Sequence, residues 1–215
     1  MRKYAAELVG TMFLTLTIGG AVRLNPIAAP LAIGTVLAAM IYANGHVSGA
    51  HLNPAVTLAV HLRGRLAGSQ LLPYWASQLL GAALGSTVVC FLIPTATSAP
   101  PTLSGHALAA AWLAEFLFTF ALAYTVLNVA TSDSHPKNGF YGIAIGGVVL
   151  AGATAVGPIS GGAFNPAVAL ALSIMGLTSW SNLWMFVTAG LTAGAVASVA
   201  FTRLDPTADA GAASS

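Results

Sequence analysis

Charged side chains are nearly missing from this sequence. Only 7 Lys and Arg and 5 Asp and Glu occur among 215 residues, a share of 6%, whereas 57% of the residues are hydrophobic. Soluble globular domains carry about 25% charged residues, so the composition excludes that class. The basic residues are scattered rather than clustered, and a nucleic-acid partner is therefore not expected.

Residues that carry catalytic or metal chemistry are also sparse. The single cysteine, Cys90, excludes a disulfide within the chain. His, Cys, Asp and Glu do not occur at metal-ligand spacings, and no Ser, His and Asp arrangement typical of nucleophilic catalysis is present. We therefore expect neither an enzyme nor a bound metal or other cofactor.

The chain has long apolar segments instead. Six stretches reach the roughly 17–25 residues that a helix needs to cross a bilayer. They lie near 4–22, 29–46, 71–93, 108–130, 139–157 and 180–202, and two shorter apolar segments lie near 53–61 and 165–175. Sustained alternation of polar and apolar residues, the pattern of a membrane β-barrel, is absent. The predicted fold class is an all-α integral membrane protein with six transmembrane helices and two re-entrant half-helices.

One segment of the chain occurs twice. Residues 48–57 read SGAHLNPAVT, and residues 160–169 read SGGAFNPAVA. The first spans of the two halves also correspond, because Ala6-Glu7-Leu8 is answered by Ala114-Glu115-Phe116. Each half then contains three spans, and an odd number of crossings inverts the second half relative to the first.

This repeat divides the chain into two inverted units. We expect the first repeat to cover 1–107, with its half-helix at 53–61, and the second to cover 108–204, with its half-helix at 165–175. The two repeats form one structural domain. Residues 205–215, rich in Ala, Ser and Asp, are predicted to be a disordered cytoplasmic tail.

Both copies of the repeated segment contain an Asn-Pro pair. Such a pair is typical of an abrupt helix start, with Asn as the N-cap and Pro at the first helical position. A half-helix of about ten residues covers about 15 Å, half the hydrocarbon thickness. We therefore expect Asn53 and Asn165 to meet near the membrane midplane. The segments 45–52 and 157–164 are expected to run extended and to present carbonyl oxygens to a cavity.

The electrostatic potential at the midplane would then be positive. Each half-helix N-terminus bears about half a positive elementary charge, so two of them facing each other disfavour cations. The Asn53 and Asn165 amides would donate hydrogen bonds to a passing oxygen and orient water.

The distribution of basic residues predicts the orientation of the chain. In a six-span topology all but one of them fall on the same side, and basic loops mark the cytoplasmic face. The residues on that side are Arg2, Lys3, Arg63, Arg65, Lys137 and Arg203, and only Arg23 lies on the other. Both termini are therefore expected in the cytoplasm.

Several of these motifs resemble the aquaporin or major intrinsic protein family. The resemblance is carried by GHVSGA at 45–50, HLNPAV at 51–56, FNPA at 164–167, the inverted repeat, and Glu7 and Glu115 in the first and fourth spans. It covers the chain from about residue 4 to 202. It implies a right-handed six-helix bundle, a homotetramer with one pore per subunit, and passive permeation across the cell (inner) membrane. The short loops and termini favour a bacterial-type member.

The resemblance also implies roles for individual residues. Glu7 and Glu115 would accept hydrogen bonds from the backbone of the two Asn-Pro loops and buttress the pore wall. The pore centre would be formed by Asn53, Pro54, Ala55, Asn165, Pro166 and Ala167. Pore-lining backbone would come from Gly49, Ala50, His51, Gly161 and Ala163.

One position departs from the family. Members mostly continue the second motif with an arginine, but this chain has Val168, which matches Val56 of the first half. Carried over by spacing from the Asn residues, the selectivity constriction would consist of Ile33, Ala153, Gly162 and Val168. This set has no aromatic ring, no charge and one bulky side chain, which predicts a wide, weakly polar filter. We expect water and small uncharged solutes such as polyols, urea or a metalloid hydroxide such as arsenous acid to permeate.

Two other functions compete with a solute channel. An ion-conducting or ion-coupled transporter would place Glu7 or Glu115 in the pathway, because ionisable residues within spans are usually functional. A junctional membrane scaffold is the more remote alternative, since short loops with few charges offer little adhesive surface.

Overall fold

The regular structure of this chain is helical. The computed structural model describes residues 1–94, 100 and 102–205. The α-helices, in chain order, are α1 (Arg2–Leu24), α2 (Ala29–Ser48), α3 (Pro54–Leu62), α4 (Gly68–Leu92), α5 (Gly105–Val126), α6 (Tyr141–Ser160), α7 (Pro166–Ile174) and α8 (Leu183–Leu204). A π-helical turn, Leu127–Thr131, continues α5, and a 3₁₀ turn, Trp180–Asn182, precedes α8.

Six of these segments are long and apolar enough to cross a membrane, and α3 and α7 have nine residues each. The predicted all-α membrane fold class is thereby confirmed. The last described residue, Asp205, donates its backbone N–H to the carbonyl of Phe201 and ends α8. The rest of the predicted tail, 206–215, lies outside the described residues.

The segments before the two Asn-Pro pairs differ from expectation. Stretches 45–52 and 157–164 were expected to run extended, but α2 continues to Ser48 and α6 to Ser160. Each helix ends on a glycine in the left-handed region, Gly49 with φ of 85° and Gly161 with φ of 97°. Glycine adopts this conformation at no steric cost and commonly ends helices. Five residues, 49–53 and 161–165, therefore link each long helix to its half-helix.

The long helices pack mainly within their own half of the chain, whereas the half-helices pack on the other half. Helix α1 packs on α4 and α2, and α5 packs in the same way on α8 and α6. The half-helices cross over, since α3 packs mainly on α8 and α7 mainly on α4. Each half-helix is thus embedded in the opposite half, which favours one structural domain.

Helices α2 and α6 cross at a matched pair of glycines. A β-carbon on Gly34 would lie 2.7 Å from the carbonyl oxygen of Gly146, and one on Gly146 would overlap the oxygen of Gly34. Further along α2, Tyr42 donates its hydroxyl to the carbonyl of Gly139, just before α6, at 3.0 Å. Gly34 thus lies opposite Gly146, and the later residue Tyr42 lies opposite the earlier residue Gly139. The two helices are therefore antiparallel.

We expect Gly146→Ala to destabilise the protein, because the added methyl group forces α2 and α6 apart. Overpacking of this kind costs about 1–3 kcal/mol. The matched control is Gly147→Ala, where a β-carbon would meet nothing within 4 Å. Thermal melting followed by size-exclusion chromatography in detergent measures both variants. Equal melting temperatures for the two would contradict a tight crossing.

Candidate functional site

The two Asn-Pro pairs start the two half-helices. Asn53 Oδ1 accepts a hydrogen bond from the Ala55 backbone N–H at 2.8 Å, and Asn165 Oδ1 accepts from Ala167 at 2.9 Å. Both Asn residues are extended N-caps, with Pro in the first helical turn. A capping side chain satisfies one of the N–H groups that a helix start leaves unpaired.

The same two side chains join the halves at the centre of the molecule. Asn53 Nδ2 donates to the carbonyl of Phe164 at 2.9 Å, and Asn165 Nδ2 donates to the carbonyl of Leu52 at 2.8 Å. Each amide nitrogen carries two hydrogens. One of them is used in the bond to the opposite loop, and the other is left for a second acceptor. Both side chains line the central cavity, where the second hydrogen can meet a permeating oxygen.

The Glu7 carboxylate accepts hydrogen bonds from the first loop, residues 49–53, and from the end of α2. Its Oε1 accepts from the Ser48 hydroxyl at 2.7 Å and from the His51 backbone at 2.9 Å. Its Oε2 accepts from the Leu52 backbone at 2.7 Å and from Gln78 Nε2 at 2.8 Å. The Glu7 side chain is completely buried, so these donors replace water around the carboxylate.

Glu115 holds the second loop in a corresponding way. Its Oε1 accepts from the Ser160 hydroxyl at 2.7 Å and the Ala163 backbone at 3.0 Å, and its Oε2 accepts from the Phe164 backbone at 2.6 Å. Among the described residues that line the cavity, neither Glu7 nor Glu115 is found. An ion-coupled pathway would need them there.

The first loop has polar support that sequence reasoning missed. Gln78, a buried residue of α4, bridges Glu7 and the Thr57 hydroxyl, which lies 2.8 Å from Gln78 Nε2. Tyr74 donates its hydroxyl to the carbonyl of Ser48 at 2.8 Å, and the His51 ring packs 5.1 Å from the Tyr74 ring. A glutamine inside an apolar span was the available signal, because such a residue needs a partner.

A cavity of about 1450 Å³ is lined by the two Asn residues and by residues near both ends of the long helices. Ionisable residues gather at one end, which we call the basic mouth, where Arg65, Asp133 and Lys137 line it. Pro26, Ile27 and Leu103 line the opposite end, the apolar mouth. Arg65 and Asp133 form an exposed ion pair at 2.9 Å.

The structure brings most of the sequence-predicted site residues together on this cavity. The lining includes Ile33, Gly49, Ala50, His51, Asn53, Ala153, Gly161, Gly162, Ala163, Asn165 and Val168. The Pro and Ala residues of the motifs do not line it. Ala55 and Ala167 are fully buried, and the Trp75 indole donates to the carbonyl of Pro54 at 3.0 Å. These residues therefore pack the half-helices against the neighbouring helices and do not face the cavity.

Arg23 lies beside this cavity and not on its described lining. Its guanidinium donates to the carbonyls of Ile93 at 2.7 Å and Met175 at 2.6 Å, at the ends of α4 and α7. The Arg23 guanidinium is thus bonded to backbone carbonyls and does not take the lining position that an arginine at 168 would occupy.

Six membrane-length helices, two buried half-helices and a cavity open towards both ends together define a transmembrane channel. Comparison with known proteins specifies the family. A sequence model described as major intrinsic protein matches residues 1–201. Aquaporin NIP1-4 of Oryza sativa subsp. japonica is 34% identical over 201 residues, which cover 88% of this chain and 73% of the rice protein.

Two further proteins extend the likeness. Aquaporin AqpM of Methanothermobacter marburgensis is 42% identical over 147 residues, which cover 66% of this chain and 59% of that protein. The X-ray structure of the aquaglyceroporin from Plasmodium falciparum matches the fold with a TM-score of 0.81 at 22% identity, over 97% of this chain and 98% of that one. The chain belongs to the major intrinsic protein family. It is a passive channel for water and small uncharged solutes, and this family is a class of channels rather than enzymes.

Proposed function

We propose that this channel passes uncharged solutes larger than water, such as polyols, urea or a metalloid hydroxide such as arsenous acid. The observation that carries the proposal is Val168, which is apolar and lines the cavity. Together with Ile33, Ala153 and Gly162 it forms what we call the filter ring. A ring of three alkyl side chains and a glycine has no charge and no side-chain donor, so it discriminates by width.

Exclusion of cations is assigned to the centre rather than to the filter ring. The N-termini of α3 and α7 face each other across the reciprocal Asn bonds, and their partial positive charges add. The Asn53 and Asn165 amides would hold each passing water by its oxygen and so interrupt a proton-conducting chain of waters. Because the filter ring lacks an arginine, discrimination against ions is expected to be weaker than in the family at large.

The setting of the channel is part of the same proposal. The chain resides in the cell (inner) membrane with both termini and the basic mouth in the cytoplasm, as the distribution of basic residues favours. It assembles as a homotetramer with one pore per subunit. Large apolar side chains exposed on the long helices support contact with lipid or neighbouring subunits. Residues 1–107 and 108–204 are its two inverted repeats.

Solute permeability of proteoliposomes tests this function. Vesicles are mixed with hyperosmotic glycerol, urea or arsenous acid in a stopped-flow instrument, and their reswelling is followed by light scattering. We expect faster reswelling than in protein-free vesicles for at least one of these solutes. Vesicles that pass water rapidly and exclude every such solute would contradict the wide filter.

A further inference from the structure

The repeat gives every residue of the filter ring a counterpart. Moving 112 positions along the chain converts Ile33 to Ile145, Ala153 to Ile41, Gly162 to Ala50 and Val168 to Val56. All four counterparts line the same cavity. We call Ile41, Ala50, Val56 and Ile145 the second ring.

One member of each ring, Ile41 and Ala153, lies well to one side of the helix crossing. Ile41 follows Gly34 on α2 by seven residues, and Ala153 follows Gly146 on α6 by seven residues. Seven residues span about 10 Å of helix. Because α2 and α6 are antiparallel and cross at Gly34 and Gly146, Ile41 is displaced towards the basic mouth and Ala153 towards the apolar mouth.

The second ring is the bulkier of the two. Ile41 replaces the alanine of the filter ring and adds three carbon atoms, and Ala50 replaces its glycine and adds one. The other two positions are Ile and Val in both rings. If the backbones are related by the pseudo-twofold axis, the second ring encloses the smaller opening.

Burial supports the same order. Solvent reaches a side chain that lines a wide lumen more readily than one that lines a narrow lumen. Ile41, Ala50, Val56 and Ile145 are only 3%, 5%, 2% and 5% exposed. In the filter ring only Val168 is buried, whereas Ile33, Ala153 and Gly162 are partly exposed. This difference in burial accords with a narrower lumen at the second ring.

We propose that the second ring sets the size limit of this channel. The proposal rests on the proposed function, since it concerns which uncharged solutes pass. Both rings are apolar, so resistance to a neutral solute rises with its cross-section and is greatest where the lumen is narrowest. The second ring admits slender polyols and rejects broader solutes that the filter ring alone would admit.

Truncating one isoleucine in each ring compares them directly. Ile41→Ala is expected to raise the permeability of proteoliposomes to erythritol about fivefold or more, whereas Ile33→Ala raises it less than about twofold. Ile143→Ala makes the same truncation on an exposed part of α6 and serves as the control. A large increase with Ile33→Ala and none with Ile41→Ala would overturn the proposal.

Two additional variants keep the test informative if Ile41→Ala fails to fold. Ala50→Gly removes the other extra carbon, and glycine suits its backbone φ of 47°, so this variant folds and should also raise erythritol permeability. The exchange Ile41→Ala with Ala153→Ile moves the bulk to the filter ring and should return the cut-off to that of the parent protein. If the exchange instead falls well below the parent, the filter ring was already limiting and the proposal fails.

The same measurements separate this proposal from the proposed function. If the parent protein excludes glycerol, urea and arsenous acid, the wide-filter function is wrong. The second ring is then still supported if Ile41→Ala admits glycerol and Ile33→Ala does not. It is contradicted if the opposite holds.

Discussion

Val168→Arg is expected to lower polyol and urea permeability about tenfold or more while leaving water permeability within about threefold. Val168 lies in the first turn of α7, beside the Asn165 cap, and lines the cavity. An arginine there places a long side chain and a fixed positive charge in the filter ring. The lumen narrows, and any residual cation conductance falls because the charge repels cations. Stopped-flow permeability and proteoliposome conductance measure the two effects.

A neutral variant separates length from charge. Val168→Met extends the side chain without charging it, so it should reduce polyol permeability while cation conductance changes less than with arginine. The size cut-off and the ionic conductance of Val168→Arg are both compared with this variant in one preparation. If Val168→Arg changes neither quantity, Val168 is not part of the constriction.

Replacing Glu7 or Glu115 by leucine is expected to cost about 2–6 kcal/mol of stability. Each variant leaves two buried backbone N–H groups without an acceptor, those of His51 and Leu52 or those of Ala163 and Phe164. An unpaired buried donor costs about 1–3 kcal/mol. Leucine keeps the space filled but removes the carboxylate, so the loss reports the missing hydrogen bonds together with the removed charge.

Glutamine provides the graded control for this prediction. Glu115→Gln retains one acceptor oxygen and should fall between the parent protein and Glu115→Leu in melting temperature. Permeability should decline in the same order, because the loop that carries Asn165 loses its support. A leucine variant that melts like the parent but transports less would instead place the carboxylate in the solute pathway.

The helices and half-helices of this protein could be predicted from the sequence because their signals are local. Asn53-Pro54 and Asn165-Pro166 mark helix starts within a few residues of chain, and the structure begins α3 and α7 at those prolines. Long apolar runs identified the six spans in the same way. The outer ends of the long helices shifted by a few residues, because caps and not hydrophobicity decide where a helix stops.

The conformation of the loops could not be predicted, because it depends on distant residues. Ala50, Leu52 and Phe164 have φ values of 47°, 51° and 47°, a region that residues with a β-carbon rarely occupy. Their strain is offset by hydrogen bonds from neighbouring backbone to Glu7 and Glu115. Gln78 reaches Glu7 across 71 positions of sequence, and no local pattern links the two.

The contacts around the first loop set an order for its assembly during synthesis. The donors to Glu7 on Ser48, His51, Leu52 and Gln78 all lie within the first 78 residues. This loop can therefore take shape as soon as the third span has been inserted. The bonds between Asn53 and Phe164 and between Asn165 and Leu52 form only after residue 165 has left the ribosome. Until then the Asn53 amide lacks the Phe164 carbonyl as a partner, so the centre of the channel is completed only by the second half.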